Sequence, residues 1–243
     1  MTDDTDNLPS NSSSPSAVDA FLDKLNTQPV PFQGGAQGGN GGRLMFAMDA
    51  TASREHSWDM AARIQGTMFE AVQDIGGLAV QLAFFRGFGE FKVSGWLSRA
   101  QDIQRLMSSV FCLAGQTQVE KVLKHARNEA TLSGVRAVVY VGDCFEENVD
   151  AVGQVAGELG LIGVPVFVFH EGQDGTAERA FRHIAKLSGG AYAHFDATSA
   201  EQLKKLLAAV AVFTAGGRSA LEAYAKVHGA EILQITQQMR GGG

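Results

Sequence analysis

Apolar positions along the chain fall into short runs that alternate between two periods. Residues 44–48 are continuously apolar and stop at Asp49, as expected of a strand buried on both faces of a parallel sheet. The next stretch switches to helical spacing. Met60, Ala61, Ile64, Met68, Ala71, Val72 and Ile75 predict a helix over about 56–75, stopped by Gly76 and Gly77. Residues 78–85 read as a second strand. Residues 90–93 read as a short third one, antiparallel and at an edge after the turn at Gly87 and Gly89. A helix is expected near 99–109. A longer one starts around Gln118, shows one face in Val119, Val122, Leu123 and Ala126, and ends at Gly134.

The same alternation continues to the end. Strands are predicted over 136–141, 164–170 and 191–195, and helices over 148–161, 177–187 and 200–214. A further amphipathic stretch, 219–239, carries Leu221, Tyr224, Ala225, His228, Ile232 and Ile235, suited to packing on the body or on a second subunit. Strand–helix alternation of this kind predicts a doubly wound, Rossmann-like α/β fold. It has a mostly parallel six-stranded sheet, one antiparallel edge strand, and helices on both faces. Ligands of such sheets lie beyond the carboxyl ends of the strands.

Residues 1–42 break the pattern. Six glycines crowd positions 34–42, and the segment carries five aspartates against one lysine, a net charge of −4. Such a composition predicts a disordered, acidic, Gly-rich tail. Within it, Ala17, Val18, Phe21, Leu22 and Leu25 have helical spacing, and this island reads as a terminal helix or as a docking motif. The predicted organisation is therefore a tail over 1–42, one α/β domain over 43–214, a helical extension over 215–240 and a short tail over 241–243.

Charge and composition narrow the function. The formal net charge is −6, which argues against a nucleic-acid binder. No apolar run reaches the ~18–20 residues of a membrane span. The acidic start has no apolar stretch of a secretory signal. Two cysteines, Cys112 and Cys144, make no disulfide framework, so a reduced, cytoplasmic protein is expected, with both thiols packed in or near the core.

Notable polar residues stand where ligands of this fold class sit. Asp49, Thr51 and Ser53 follow the first strand at spacing i, i+2, i+4. Thr117 precedes the long helix, and Asp143 follows the central strand. All five side chains offer hard oxygen donors, with no His or Cys among them, which favours Mg²⁺ or Mn²⁺ over zinc. Two carboxylates balance one divalent ion, and three neutral hydroxyls leave it able to accept a further anionic ligand. Alone, Ser53 and Thr117 also read as helix caps.

This three-part pattern resembles the metal-ion-dependent adhesion site of von Willebrand factor type A domains, over about residues 43–213. Residues 82–86, Trp96 and the stretch from Gly115 to Leu123 resemble intracellular bacterial members of that superfamily. The resemblance implies that Asp49 holds the ion or its waters and that Thr51 and Ser53 ligate it directly. It also implies that Thr117 is a switchable ligand, that Asp143 acts through water, and that a protein partner's Asp or Glu carboxylate completes the coordination. Thr51 stands where Ser is commoner, Gln116 where a second Gly is usual, and Gly142-Asp143 replaces the frequent Thr-Asp-Gly.

Two other readings stay open. Haloacid-dehalogenase-like phosphatases also use an Asp after the first strand, and the order Gly142, Asp143, then Glu146 and Glu147 matches their acidic motif. Asp49 would be the nucleophile, with Mg²⁺ on Asp49 and Asp143. Against this, Thr51 occupies the position of their general acid and cannot serve near neutral pH. The third reading is a scaffold whose metal is structural. Glu146 and Glu147 read as an acidic rim or a solvated helix start, His56 as an exposed or capping residue near the candidate site, and His170 and His194 as ordinary loop histidines.

Overall fold

A computed structural model describes residues 42–54, 78–195, 205, 208–212, 214–215, 220 and 223–224. The helix predicted over 56–75, nearly all of the N-terminal tail, its 17–25 island, the 241–243 tail and most of 219–239 lie outside the described residues.

Six strands form one sheet: β1 (Gly42–Asp49), β2 (Leu78–Arg86), β3 (Glu90–Leu97), β4 (Ala137–Gly142), β5 (Val166–Glu171) and β6 (Tyr192–Phe195). Their order is β3-β2-β1-β4-β5-β6. Every pairing is parallel except β2 with β3, which is antiparallel at the edge, as the sequence predicts. Four described α-helices intervene: α1 (Ala100–Ser109), α2 (Val119–Leu132), α3 (Val149–Leu161) and α4 (Gly175–Ser188). A short 3₁₀ turn, Ala52–Arg54, follows β1.

The strands are continuously apolar because both faces are covered. Along β1, Leu44, Phe46 and Met48 enter one core with Val139, Val141, Phe167 and Phe169, closed by Ile103 and Met107 of α1 and by the helical residues 208–212. The alternate residues Met45 and Ala47 enter the other, with Tyr140, Val168 and the inner faces of α2, α3 and α4. A period of two in the strands and of 3.6 in the helices thus meet in two layers of core. From the C-terminal stretch, Ala220 and Tyr224 pack against the first core.

Helix ends follow local chemistry. Asn148 caps α3 by accepting from the amides of Asp150 and Ala151, both at 3.0 Å. Asp174 caps α4 by accepting from Thr176 and Ala177. Gly189 ends α4 in the left-handed region, φ +73°, which a residue with Cβ rarely adopts. Strand β3 runs to Leu97, four residues past the predicted end, and no described helix is long and apolar enough to cross a membrane.

This topology fixes where a site forms. The chain winds from β1 outward to β2 and β3 on one side, then returns to β4 beside β1 and proceeds to β5 and β6. The crevice at that reversal lies beyond the ends of β1 and β4. Asp49 is the last residue of β1, and Asp143 is the first after β4.

Candidate metal centre

Asp49 is fully buried at the end of β1. Its Oδ1 accepts from the Thr51 amide at 2.7 Å, folding the loop so that the next side chains return toward it. Thr51 and Ser53 come together with their hydroxyl oxygens 3.1 Å apart. The i, i+2, i+4 spacing therefore brings these three side chains onto one short loop.

Cys144 ties this loop to Asp143. Burial and the neighbouring Asp143 and Asp49 carboxylates push its thiol up to about 12, partly opposed by a hydrogen bond with Ser53. Asp143, Asp49 and Ser53 thus all act on the one thiol. The sequence reading treated Cys144 as a packing thiol; its adjacency to Asp143 was the only local signal of this placement. Asp49 is fully buried and Asp143 partly so, and carboxylates withdrawn from water are costly without a cation. Asp143 Oδ1 is buried and makes no hydrogen bond, so it has an acceptor to offer.

Thr117 sits just ahead of α2, buried, and is held from the opposite side. Its Oγ1 accepts from the Glu146 amide at 3.0 Å, while its own amide donates to Glu146 Oε2 at 3.3 Å. It does not cap α2. The N-cap position is Gln118, whose side chain makes no cap bond. The exposed amides of α2 are met from elsewhere: Val119 donates to Glu147 Oε1 at 2.5 Å and Glu120 to Glu147 Oε2 at 2.9 Å. Glu146 and Glu147 therefore bind the loop after β4 to the start of α2, a role the sequence reading missed. The hint was a helix start with no Ser, Thr, Asp or Asn at its cap.

The stretch leading to Thr117 is pinned to the two inner strands. Leu113 bridges to Thr51 and donates to the Ala50 carbonyl at 3.1 Å; Gln116 donates to the Gly87 carbonyl at 3.3 Å. Gly115 lies against Gly87 so closely that a Cβ would stand 2.1 Å from its carbonyl oxygen. Arg86 braces the region with two bonds to Glu90 (3.0 and 3.1 Å) and one to the Phe111 carbonyl (2.8 Å).

Asp49, Thr51 and Ser53 are gathered by one loop, Asp143 follows the neighbouring strand, and Thr117 is bonded to Glu146, three residues after Asp143. Among the described residues, no group of three or more His, Cys, Asp or Glu is arranged to hold a metal ion. A cation here would rely on hydroxyls beside the two aspartates, a donor set whose chemistry fits Mg²⁺ or Mn²⁺. His170 is buried at the end of β5, its Nδ1 2.8 Å from the Tyr192 hydroxyl, and His194 Nε2 bonds the Gly172 carbonyl. His170 also meets the backbone of Asp143, and His56 lies outside the described residues.

No family model matches the sequence, and no curated protein sequence matches it. Solved structures do match in shape. The SpRpn10 VWA domain superposes with a TM-score of 0.55 at 12% identity, over 68% of this chain and 93% of that one. The pilus adhesin SpaC of Lactobacillus rhamnosus GG gives 0.56 at 14% identity, over 78% of this chain but only 31% of the adhesin. Proximal thread matrix protein 1 of the mussel byssus, solved with a zinc-occupied MIDAS motif, gives 0.54 at 16% identity, over 70% of this chain and 46% of that one. The chain has the von Willebrand factor type A fold.

Proposed function

We propose that this chain of the von Willebrand factor type A fold is a metal-dependent protein-interaction module, not an enzyme. Its resident ion is Mg²⁺ or Mn²⁺, held by Asp49, Thr51, Ser53, Thr117 and Asp143. When bound, the ion supplies an electrophilic centre that takes an Asp or Glu carboxylate from a partner protein. The observation that carries this reading is the folded Asp49–Ser53 loop at the end of β1, where Asp49 accepts the Thr51 amide, together with Asp143 Oδ1, buried and without a hydrogen bond just after the neighbouring strand β4. The Thr51–Ser53 hydroxyl pair and the likeness to the mussel protein with its zinc-occupied MIDAS motif support it.

The chain's own residues divide the work. The Asp49–Thr51 amide bond holds the first loop closed. Glu146 holds Thr117, leaving its hydroxyl with a second lone pair for a cation. The phosphatase reading loses ground at Glu147, the last acid of the Gly142-Asp143 motif, because both of its oxygens accept amides of α2. The reading includes a cytoplasmic setting, supported by two free thiols, Cys112 and Cys144.

The test is thermal unfolding across Mg²⁺ and Mn²⁺ titrations of the wild type and of Thr117→Ala. A bound ion stabilises by RT ln(1 + [L]/Kd), about 2.7 kcal/mol at a hundredfold excess over Kd. The expected result is a rise in Tm that Thr117→Ala reduces. No rise in the wild type, or a rise that the substitution leaves untouched, overturns the proposed ligand set.

A further inference from the structure

The rim of the metal centre is apolar and exposed. Phe88 is 86% exposed, Phe111 60% and Leu113 39%. Leu113 touches a candidate-ligand loop directly, and Phe88 and Phe111 stand next to residues that brace those loops. Leu113 bridges Thr51, and Phe88 follows Gly87, whose carbonyl accepts from Gln116 beside Thr117. Phe111 lies under the Arg86 guanidinium, 4.1 Å from ring centroid to Cζ. Exposed aromatics beside an arginine are characteristic of contact surfaces. A ligand fitted to this face needs a carboxylate with large apolar side chains next to it.

The chain carries such a segment. Between positions 17 and 25, Asp19 and Asp23 flank Phe21 and Leu22. The intervening stretch, 26–41, is 16 residues long and rich in glycine. Chains of that composition have a root-mean-square span of roughly 5–6 Å × √n, here roughly 20–24 Å. The distance to be covered is the length of β1, whose first residue is Gly42 and whose last is Asp49. At about 3.3 Å per residue that is roughly 23 Å. A tether whose span matches the separation gives the highest effective concentration, on the order of millimolar.

We propose that residues 17–25 dock on the metal face of their own chain. Asp19 or Asp23 supplies the carboxylate to the bound ion, and Phe21 and Leu22 cover Phe88, Phe111 and Leu113. The segment is an internal ligand that an outside partner must displace. The inference rests on the metal-dependent reading above.

The test uses the full, isotope-labelled chain, with Mn²⁺ as a paramagnetic probe at about a tenth of an equivalent, as an order of magnitude for a relaxation probe that need only visit the site. The expected result is selective broadening of the Phe21 and Leu22 amide signals, alongside those of Thr51 and Thr117, independent of protein concentration. Either Phe88→Ser with Phe111→Ser, or Asp19→Asn with Asp23→Asn, restores sharp signals over 17–25. Broadening confined to the ligand loops overturns the docking and leaves the metal reading standing. Broadening that grows with protein concentration, together with a dimer in sedimentation, assigns the segment to a second copy and overturns docking within one chain. No selective broadening anywhere removes the metal reading, and this inference falls with it.

Discussion

Glu147 offers a direct measure of how the loop after β4 grips the start of α2. Its two carboxylate oxygens accept the Val119 and Glu120 amides at 2.5 and 2.9 Å, while Gln118 contributes no cap of its own. Glu147→Ala leaves both amides without that acceptor. Loss of a helix cap costs about 1 kcal/mol, within roughly 0.5–2. Loss of a negative charge beside a helix N-terminus adds about 0.3–1 kcal/mol. Glu147 is partly buried, so solvent compensates incompletely, and the sum is about 2 kcal/mol. For a domain of this size, 1 kcal/mol moves Tm by about 2–4 °C, so a fall of about 4–8 °C is expected. Glu147→Gln keeps one acceptor oxygen without the charge and should lose about half as much. Urea unfolding gives the same ordering with an unchanged m-value if the fold is intact. The grip also holds Thr117 and Asp143 in register, so the Mn²⁺-induced rise in Tm should shrink in Glu147→Ala. A loss below about 0.5 kcal/mol would mean that water replaces the carboxylate without penalty, and the account of α2 capping would be wrong.

Two further outcomes follow from the same geometry. Gly115→Ala places a Cβ 2.1 Å from the Gly87 carbonyl oxygen, a backbone atom that cannot rotate away. The α2 approach must move, at a cost of about 1–3 kcal/mol in urea unfolding and with weakened metal binding by calorimetry; an unaltered Mn²⁺ affinity would refute the coupling. His125 and His170 are both held below the usual histidine range by burial. In the unfolded chain they bind protons near pH 6.5, and in the folded chain only at lower pH, so stability falls as pH drops below about 6.5. Urea midpoints at pH 7.5, 6.5 and 5.5 should decline, with a shallower slope in His125→Gln/His170→Gln; a flat wild-type profile would contradict the assignment.

The order of elements was readable because buried parallel strands leave a continuous apolar run and surface helices leave a stripe. The extent of β3 was not. Ser94 and Gly95 interrupt its alternation, and the register with β2 shifts between Gln81 and Ala83. There the Ser94 hydroxyl accepts from the Leu82 amide at 2.9 Å, replacing a backbone acceptor and letting the strand continue to Leu97. Local period cannot reveal a bond supplied by a side chain of the neighbouring strand. At the candidate site, Asp49, Thr51 and Ser53 were legible because one short loop gathers them. The Glu146–Glu147 pair was not, because its bonds reach residues 27 to 29 positions away, and neither was Cys144, whose partners include Asp49 and Ser53 on the loop after β1.

The same residue that anchors α2 separates the two chemistries that share this sheet. An aspartate after the first strand and another after the central strand suit both a phosphatase and an adhesion-type metal site. The difference lies in what surrounds them. Phosphoryl transfer through Asp49 needs a proton donor two residues on and a further acid near Asp143 to complete the Mg²⁺ ligands. Thr51 stands at the first position, its hydroxyl beside that of Ser53. Glu147, at the second, spends both oxygens on helix amides. What remains is a set of neutral hydroxyls with two carboxylates, which balances the charge of a divalent ion but would leave it electrophilic enough to take one further anionic ligand. On the proposed reading such an ion would recruit an external anion, with no general acid at Thr51 and no third carboxylate at Glu147 to support phosphoryl transfer. The exposed aromatic rim at Phe88 and Phe111 suits the same task, since it offers apolar contact to whatever brings that anion.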